Sequence, residues 1–396
     1  MNNKRLEGIR PIIEDEIEKG NLPGARVIAI NKGERAYDEV FGYADIESKR
    51  PLTNDNMYRM FSLTKPITAV AAMQLIENGR INLTDNLSRF LPEYSEMTVL
   101  EEGRESHPAS REITIHDLLA MTSGISYPDA TPAGIKMTRI WSAQTKAYID
   151  NREGKSDEKP LNTRDFVRMM ASSPLAFDPG KAWMYGASAD VMGAVIEVVS
   201  GMTLGEYFKN NILEPLGMTD TGFFIPEDKQ SRLTTSYEFA GSKLVRFDKF
   251  HLALTDYLTQ PSFESGGAGL VSTADDYARF AEMLLGGGKY GAKEILSRKG
   301  YEKLRSNLLT PKQIQTMGWD SVKGHGYGNF MRILMDPSQA DLIGSIGEFG
   351  WDGWMGCYMC IDPVEDLAML YFTQVAGIGF SETARRIKNM IWCSLK

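Results

Sequence analysis

The chain has 396 residues, of which 42% are hydrophobic and 24% charged, and these proportions exclude disordered, collagen-like and coiled-coil proteins. Its 44 Lys and Arg against 52 Asp and Glu give a net charge of −8, which argues against nucleic-acid and anionic-membrane partners. No apolar run reaches the ~20 residues that cross a bilayer. With three cysteines and no secretory signal in the first twenty residues, we expect a cytoplasmic protein.

Neither a metal site nor a nucleotide site is predicted. The four histidines form no HExxH or HxH arrangement, and Cys357 and Cys360 make one CxxC without a second pair to complete a tetrahedral site. Gly324, Gly326 and Gly328 alternate, but they lead into a strand-like segment instead of the helix that a phosphate-binding loop requires. We therefore expect no metal and no cofactor.

The predicted elements begin with an amphipathic helix in the first twenty residues and two strands joined by a turn at 31–33. A helix over Thr64–Gly79 has Pro66 in its first turn and a glycine at its end, as helices prefer. The middle of the chain is mainly helical. From about Gly326 the pattern changes to short strands in four segments, and a last helix follows; the strand segments are 327–335, 341–350, 354–362 and 367–374.

Strands at both ends with helices between them predict an α+β fold. In this fold the first two and the last three strands form an antiparallel sheet, which is flanked by N- and C-terminal helices. A large mainly helical region is inserted between these two sets of strands. We expect a sheet domain over 1–63 and 300–396, a helical domain over 64–299, and the active site between them. The polar segment 127–160 shows little periodicity and is predicted to be an exposed loop excursion.

The strongest chemical motif is Ser62-Leu63-Thr64-Lys65, an SxxK at the start of the predicted helix. Residues three apart on a helix share a face, so the Lys65 amine can approach the Ser62 hydroxyl. The helix N-terminus favours negative charge that develops beside Ser62. A buried lysine has a lowered pKa and can take the serine proton. Ser62 acting only as a helix N-cap is the alternative.

A second SxxK, Ser156-Asp157-Glu158-Lys159, lies in a charged, aperiodic loop with no helix behind it, so we interpret it as non-catalytic. Two later segments support the first copy. Tyr185 follows a Pro-Gly turn and precedes a helix, where its phenol could relay protons between serine and lysine. The Trp354 N–H, next to Gly353, could pair with the Ser62 N–H as an oxyanion hole.

Five segments in one order resemble the serine β-lactamase-related hydrolases; they are SLTK, HDLLAMTSGI, DPGKAWMYGASADVMGAVIEVVSG, GGAGLVSTADDYARFAEML and GWDGWMGCYMCIDP. The group resembles class C β-lactamases and includes family VIII carboxylesterases, D-amino-acid amidases and peptidases, and acyltransferases. The resemblance implies a β-lactamase/transpeptidase-like fold, with Ser62 as nucleophile, Lys65 as general base and Tyr185 as their partner. Trp351, Asp352 and Gly353 stand in the place of the β-lactamase Lys-Thr-Gly.

Two departures from the β-lactamase pattern bear on the substrate. Tyr185-Gly186-Ala187 lacks the asparagine of Tyr-x-Asn, and Trp351 replaces the lysine that meets a β-lactam carboxylate. Both changes resemble the carboxylesterase branch, where Trp-Gly-Gly is usual, although Asp352 is unusual there. A competing Tyr-x-Asn, Tyr327-Gly328-Asn329, precedes the third motif and is interpreted as structural.

The sequence therefore predicts a serine hydrolase that cleaves small, apolar esters through an acyl-enzyme. Trp351 and Trp354 are expected to line the substrate pocket. A D-amino-acid amidase or peptidase, with Asp352 as an amine anchor, and an acyltransferase are the enzymatic alternatives. A catalytically silent binding protein is the non-enzymatic one. The expected partner is a small-molecule ester or amide, and no heptad repeat indicates an oligomeric state.

Overall fold

The computed structural model describes all 396 residues, and its largest element is one antiparallel sheet of eight strands. The strands in chain order are Gly24–Asn31 (β1), Glu34–Asp45 (β2), Arg50–Pro51 (β3), Met57–Arg59 (β4), Thr98–Val99 (β5), His107–Pro108 (β6), Tyr237–Ala240 (β7), Lys243–Arg246 (β8), Val271–Thr273 (β9), Lys289–Tyr290 (β10), Lys293–Glu294 (β11), His325–Gly328 (β12), Met331–Leu334 (β13), Phe349–Asp352 (β14), Tyr358–Asp362 (β15) and Leu367–Phe372 (β16). The large sheet has the order β12-β13-β14-β15-β16-β1-β2-β3. The predicted antiparallel sheet built from both termini is confirmed.

Helices fill the inserted region and cover the sheet. They are Asn3–Leu6 (α1), Ile9–Glu18 (α2), Thr64–Glu77 (α3), Ile115–Leu119 (α4), Pro132–Arg152 (α5), Thr163–Met170 (α6), Ser188–Ser200 (α7), Leu204–Phe208 (α8), Glu214–Leu216 (α9), Ala274–Leu285 (α10), Arg298–Leu304 (α11), Pro311–Ile314 (α12) and Glu382–Trp392 (α13). No single helix is long and apolar enough to cross a membrane; only α7 joined to the segment Leu204–Leu216, bent by 77°, has the necessary length and composition.

Alternate residues of the central strands face opposite sides of the sheet, as the two-residue period of a strand requires. In β1, Val27 and Ala29 pack into a cluster with α2 and α13. Ile28 and Ile30 face the other way, into the large cluster formed with the helical region. The sheet therefore lies between the terminal helices and the inserted helices, and both of its faces are buried.

Two sequence predictions of the C-terminal part are wrong. The segment 327–335 contains the end of β12 and all of β13, joined by a turn in which Asn329 and Phe330 adopt positive φ angles of 49° and 61°. The segment 341–350 is irregular up to Phe349, where β14 begins. As a result the C-terminal part contributes five strands to the sheet and not three.

The predicted loop excursion at 127–160 is also wrong, because most of it is the 21-residue helix α5. Its N-cap is Thr131, whose hydroxyl accepts from the Gly134 N–H at 3.1 Å. Met137 and Trp141 are among its few buried residues, and most of its other residues are partly or fully exposed. A helix with so few buried residues carries a weak hydrophobic period. The division of the chain into two domains stays a prediction.

A buried ion pair joins α13 to the residue before β14. The Lys388 Nζ lies 2.9 Å from a carboxylate oxygen of Glu348, and the two side chains are 0% and 6% exposed. The same amine donates to the Ile343 carbonyl at 2.5 Å. Since β14 carries the predicted third motif, this pair connects the terminal helix to the strand that leads into the site.

Removal of Lys388 would leave the Glu348 carboxylate buried without a counter-charge, so we expect Lys388→Met to lower the free energy of unfolding by about 3 kcal/mol. Arg386→Met, on the same helix, removes an exposed ion pair with Glu382 and should change stability little. Equilibrium denaturation in urea measures both variants. Equal stability of the two would contradict a supporting role for the buried pair.

Candidate active site

Ser62 and Lys65 lie together at the N-terminus of α3. Ser62 belongs to the 3₁₀ turn Phe61–Leu63, which runs directly into the helix, and it is 8% exposed. Lys65 is in the first turn of α3 and is fully buried. Its Nζ lies 3.2 Å from the Ser62 Oγ. The structure therefore brings these two side chains into the contact expected from the SxxK spacing.

The Lys65 amine has two further polar neighbours. Its Nζ lies 2.8 Å from the Gly267 carbonyl oxygen and 3.1 Å from the Tyr127 hydroxyl. Burial lowers the pKa of Lys65 to about 7, although the negative charges of Asp190 and Asp352 raise it. A neutral amine has two N–H donors and one lone pair. If its two N–H groups donate to the Gly267 carbonyl and the Tyr127 hydroxyl, the nitrogen lone pair points towards the Ser62 hydroxyl.

Tyr127 and Asp190 belong to this site, and the sequence analysis missed both. Tyr127 lies 3.4 Å from a carboxylate oxygen of Asp190, which is fully buried on α7. The other carboxylate oxygen accepts from the Ser265 hydroxyl at 2.5 Å and from the Gly267 N–H at 3.1 Å. Burial raises the pKa of Asp190, while Lys65 and these donors oppose that rise. The sequence feature that could have identified Asp190 was an acidic residue within the otherwise apolar start of α7.

Only glycine fits at position 267. A Cβ there would lie 2.6 Å from an Asp190 carboxylate oxygen and 2.7 Å from the Tyr127 hydroxyl oxygen. Because glycine has no Cβ, the backbone can approach both side chains and present its carbonyl to Lys65. The segment GGAG, which supported the family resemblance, thus supplies a backbone contact to the predicted base.

From the sequence we expected the Tyr185 phenol to lie between serine and lysine. The structure shows a different contact. The Lys65 Nζ lies over its ring, 4.6 Å from the centre, and the hydroxyl that meets this amine is that of Tyr127. The Tyr185 hydroxyl accepts from the Trp351 indole N–H at 3.1 Å. Burial raises the pKa of Tyr185 above its usual range, more than hydrogen bonds with Ser62 and Trp351 lower it. Its phenol is therefore neutral at neutral pH.

Trp351 is buried and holds the Tyr185 ring from one side. The two rings stack with centres 5.4 Å apart, and Tyr327 packs edge-on against the indole at 5.2 Å. The Asn329 amide donates to the carbonyls of Lys303 and Leu304 at 2.9 and 2.8 Å. The competing Tyr327-Gly328-Asn329 motif therefore packs against the site from behind, which agrees with its structural interpretation.

Asp352 forms an ion pair with the buried Arg332, with a nitrogen-to-oxygen distance of 2.7 Å. The Arg332 side chain is 5% exposed and that of Asp352 is 21% exposed. Because its charge is balanced within the protein, Asp352 is poorly suited to anchor a substrate amine. This geometry weakens the argument for a peptidase.

Gly353 and Trp354 form the turn that follows β14. A Cβ on Gly353 would lie 2.4 Å from the Met60 carbonyl oxygen, so only glycine allows the turn to approach the backbone beside Ser62. Among the turn, loop and cap hydrogen bonds, none uses the N–H of Ser62 or Trp354. The Trp354 ring stacks on His251 with centres 4.0 Å apart. Both N–H groups remain available to a substrate oxygen.

Neither the second SxxK nor the CxxC motif contributes a side chain to the hydrogen bonds described above. Ser156 and Lys159, the second SxxK pair, follow α5 in a segment without regular structure. Cys357 and Cys360 are free and buried, and burial raises the pKa of both thiols. No group of three or more His, Cys, Asp or Glu side chains is arranged to hold a metal ion.

Comparison with known proteins gives whole-chain matches. A profile of the Beta-lactamase family matches residues 9–389. Protein Rv1367c of Mycobacterium tuberculosis is 32% identical over 378 residues, which cover 93% of this chain and 90% of that protein. Esterase EstB of Burkholderia gladioli is 29% identical over 388 residues, with 93% and 90% covered.

A solved structure, "EstCE1, a hydrolase with promiscuous acyltransferase activity", matches with a TM-score of 0.81 and 25% identity. The match covers 98% of this chain and 99% of EstCE1. These comparisons confirm the predicted resemblance, the predicted fold and the assignment to the hydrolases.

Gly353→Ala should move the turn that carries the Trp354 N–H away from Ser62, because its Cβ has no room beside Met60. We expect kcat for an activated ester such as p-nitrophenyl butyrate to fall about 10²-fold, the effect of losing one oxyanion donor. At Gly318 a Cβ would meet nothing within 4 Å, so Gly318→Ala is the matched control. Wild-type kcat in Gly353→Ala would show that the close approach is not needed.

Proposed function

Because this chain belongs to the Beta-lactamase family, we propose that it is a serine esterase with Ser62 as nucleophile and Lys65 as general base. One observation carries this proposal: the buried Lys65 amine lies 3.2 Å from the Ser62 hydroxyl, and its pKa is about 7. A base with this pKa is half neutral at neutral pH and can accept a proton there. The neutral Tyr185 phenol is a weaker candidate for the base.

Acylation begins when the Ser62 oxygen attacks the ester carbonyl carbon and its proton passes to the Lys65 amine. The negative charge that develops on the carbonyl oxygen is stabilised by the N–H groups of Ser62 and Trp354. The carbon–oxygen bond to the alcohol then breaks, and the Lys65 ammonium returns the proton to the leaving oxygen. Tyr185 is placed beside the Lys65 amine, with its ring under Nζ and its hydroxyl held by the Trp351 indole N–H.

Deacylation repeats these steps with water. The neutral Lys65 amine takes a proton from the water as its oxygen attacks the acyl carbon. The tetrahedral intermediate then expels the Ser62 oxygen, which recovers the proton from Lys65. Tyr127 acts as a positioning residue because it contacts the amine and not the reacting atoms, and Asp190 acts through its contacts with Tyr127 and Gly267.

Small esters with an apolar portion next to the scissile bond suit the surroundings of Ser62. Phe61 and Trp354 have ring centres 5.3 Å apart, and Trp351 takes the place of the lysine that meets a β-lactam carboxylate. The absence of an asparagine after Tyr185 also argues against efficient β-lactam hydrolysis. The name of the relative EstB, an esterase, supports this proposal.

Acyl transfer is the second candidate. In this reaction an alcohol replaces water in deacylation, with the same residues and the same proton path. The description of EstCE1 as a hydrolase with promiscuous acyltransferase activity favours it over the amidase or peptidase. Product analysis in the presence of a competing alcohol separates ester formation from hydrolysis.

Replacing the nucleophile should abolish ester cleavage. We expect Ser62→Ala to lower kcat for p-nitrophenyl butyrate by about 10⁴-fold or more. Ser156→Ala is the matched control, since Ser156 belongs to the second SxxK, and it should retain wild-type activity. Equal activity of wild type and Ser62→Ala would place the reaction elsewhere in the chain.

The rate should rise with pH because Lys65 must lose its proton before it can act as a base. We expect kcat/KM to increase as pH passes through about 7 and to level off above it, as the pKa of Lys65 dictates. A pH–rate profile between pH 5 and 9 measures this (roughly two units on each side of the expected pKa). A rate that falls with pH across this range would contradict the assignment of Lys65 as base.

Asp190→Asn tests the charge that acts on Lys65. The negative charge of Asp190 raises the pKa of Lys65, so its removal should move the rise in kcat/KM to lower pH. Asp228→Asn makes the same substitution at an exposed position and should leave the profile unchanged. A shift of the Asp190→Asn profile to higher pH would mean that Asp190 does not stabilise the protonated amine.

A further inference from the structure

Arg59, the last residue of β4, is a partly buried arginine without a carboxylate partner. Its Nη1 donates to the Thr234 carbonyl at 2.8 Å and to the Ser236 hydroxyl at 3.0 Å. Its guanidinium carbon lies 5.8 Å from the centre of the Tyr257 ring. Neither Nε nor Nη2 donates to any group of the chain, so one edge of the planar guanidinium is unused. That edge has the geometry that binds a carboxylate through two hydrogen bonds.

Two buried arginines elsewhere in the chain show the usual arrangement. Arg26 pairs with Asp38 and Asp275, and Arg332 pairs with Asp352. Buried charges in proteins are generally paired, because an isolated charge loses its hydration without compensation. Burial accordingly lowers the pKa of Arg59. The missing counter-charge indicates an anion that comes from outside the chain.

Arg59 lines a cavity of about 360 Å³ with an excess of positive charge. Its other charged side chains are Arg152, Arg246, Lys249, Asp248 and Asp256. Arg152 pairs with Asp256 at 2.6 Å and Arg246 pairs with Asp248 at 3.0 Å. Lys249 pairs with Glu238 at 2.7 Å. Arg59 therefore remains as the cation in this cavity that forms no ion pair with a carboxylate.

Two residues of the cavity wall are next to the proposed oxyanion hole in the chain. Phe61 and Met355 line the cavity, and they are the chain neighbours of Ser62 and Trp354, whose N–H groups would hold the substrate oxygen. Phe61 adopts a positive φ of 46°, which is strained for a bulky residue. His251, stacked on Trp354, is a further part of the wall. Phe61, Met355 and His251 thus form the part of the cavity wall that is connected to Ser62 and Trp354 by the chain or by ring stacking.

We propose that this cavity binds a carboxylate carried by the substrate, so that the enzyme prefers esters with an anionic far end. The inference rests on the proposed esterase function and refines the expected apolar substrate. The carbon chain next to the ester contacts Phe61, His251 and Trp354, and the terminal carboxylate meets the free edge of Arg59. Monoesters of aliphatic dicarboxylic acids are the substrate class that fits.

The wild-type enzyme tests the inference directly. Monomethyl adipate and methyl hexanoate have carbon chains of equal length and differ in the terminal carboxylate; monomethyl suberate and methyl octanoate form a longer pair. We expect kcat/KM to be about tenfold higher or more for the acid member of at least one pair, as one charge-assisted hydrogen bond provides. Hydrolysis of neutral esters with no preference for the acid at either length would overturn the inference alone. No hydrolysis of any ester, p-nitrophenyl butyrate included, would overturn the proposed function as well.

Variants of Arg59 identify the group responsible for the preference. We expect the ratio of kcat/KM for acid over neutral ester to fall towards one in Arg59→Gln and to recover in part in Arg59→Lys, which restores the charge. Lys312→Gln removes an exposed, distant cation and should keep the wild-type ratio. If Arg59 only supports the segment 234–236, both esters will slow equally in Arg59→Gln and the unchanged ratio will overturn the inference.

Discussion

The burial of the Lys65 amine is the constraint on which the site depends. An amine removed from water favours its neutral form, and the neutral form is the one that can accept a proton from Ser62. The helix α3 provides the burial, since its residues from Thr64 to Leu75 are all buried. The amine still needs polar contacts, which the Gly267 carbonyl and the Tyr127 hydroxyl supply. The negative charge of Asp190 limits the fall in the pKa of Lys65. The amine therefore gains and loses its proton near pH 7 instead of being uncharged at every pH.

The third motif contributes to the electrostatic surroundings of Tyr185. With Trp351 where β-lactamases carry a lysine, Tyr185 receives a neutral N–H donor and no nearby added positive charge. Burial keeps its phenol protonated, although the Trp351 hydrogen bond opposes this, and we propose Lys65 as the group that accepts the proton. Arg332 does not restore the missing charge, because its guanidinium is paired with Asp352. The departures from the β-lactamase pattern thus change the electrostatics of the site as well as its shape.

The parts of this molecule that were predictable from sequence depend on local patterns. Ser62 and Lys65 are three residues apart on one helix, and the sheet follows from alternating apolar residues at the two ends of the chain. Tyr127 and Asp190 were missed because they are 63 residues apart and meet only through tertiary packing. Helix α5 was missed because few of its residues are buried, and the C-terminal hairpin because two non-glycine residues adopt positive φ angles. The unpaired state of Arg59 is likewise visible only once its neighbours are in place.

Mass spectrometry of the enzyme during turnover identifies the nucleophile. The reaction with p-nitrophenyl butyrate is quenched in acid within the first turnovers, and the protein is digested and its peptides are sequenced by fragmentation. We expect one butyryl group on Ser62 of the wild-type enzyme, and none in the Lys65→Met protein, which lacks the proposed base. A butyryl group on another residue, or turnover with no acylated peptide, would contradict the account.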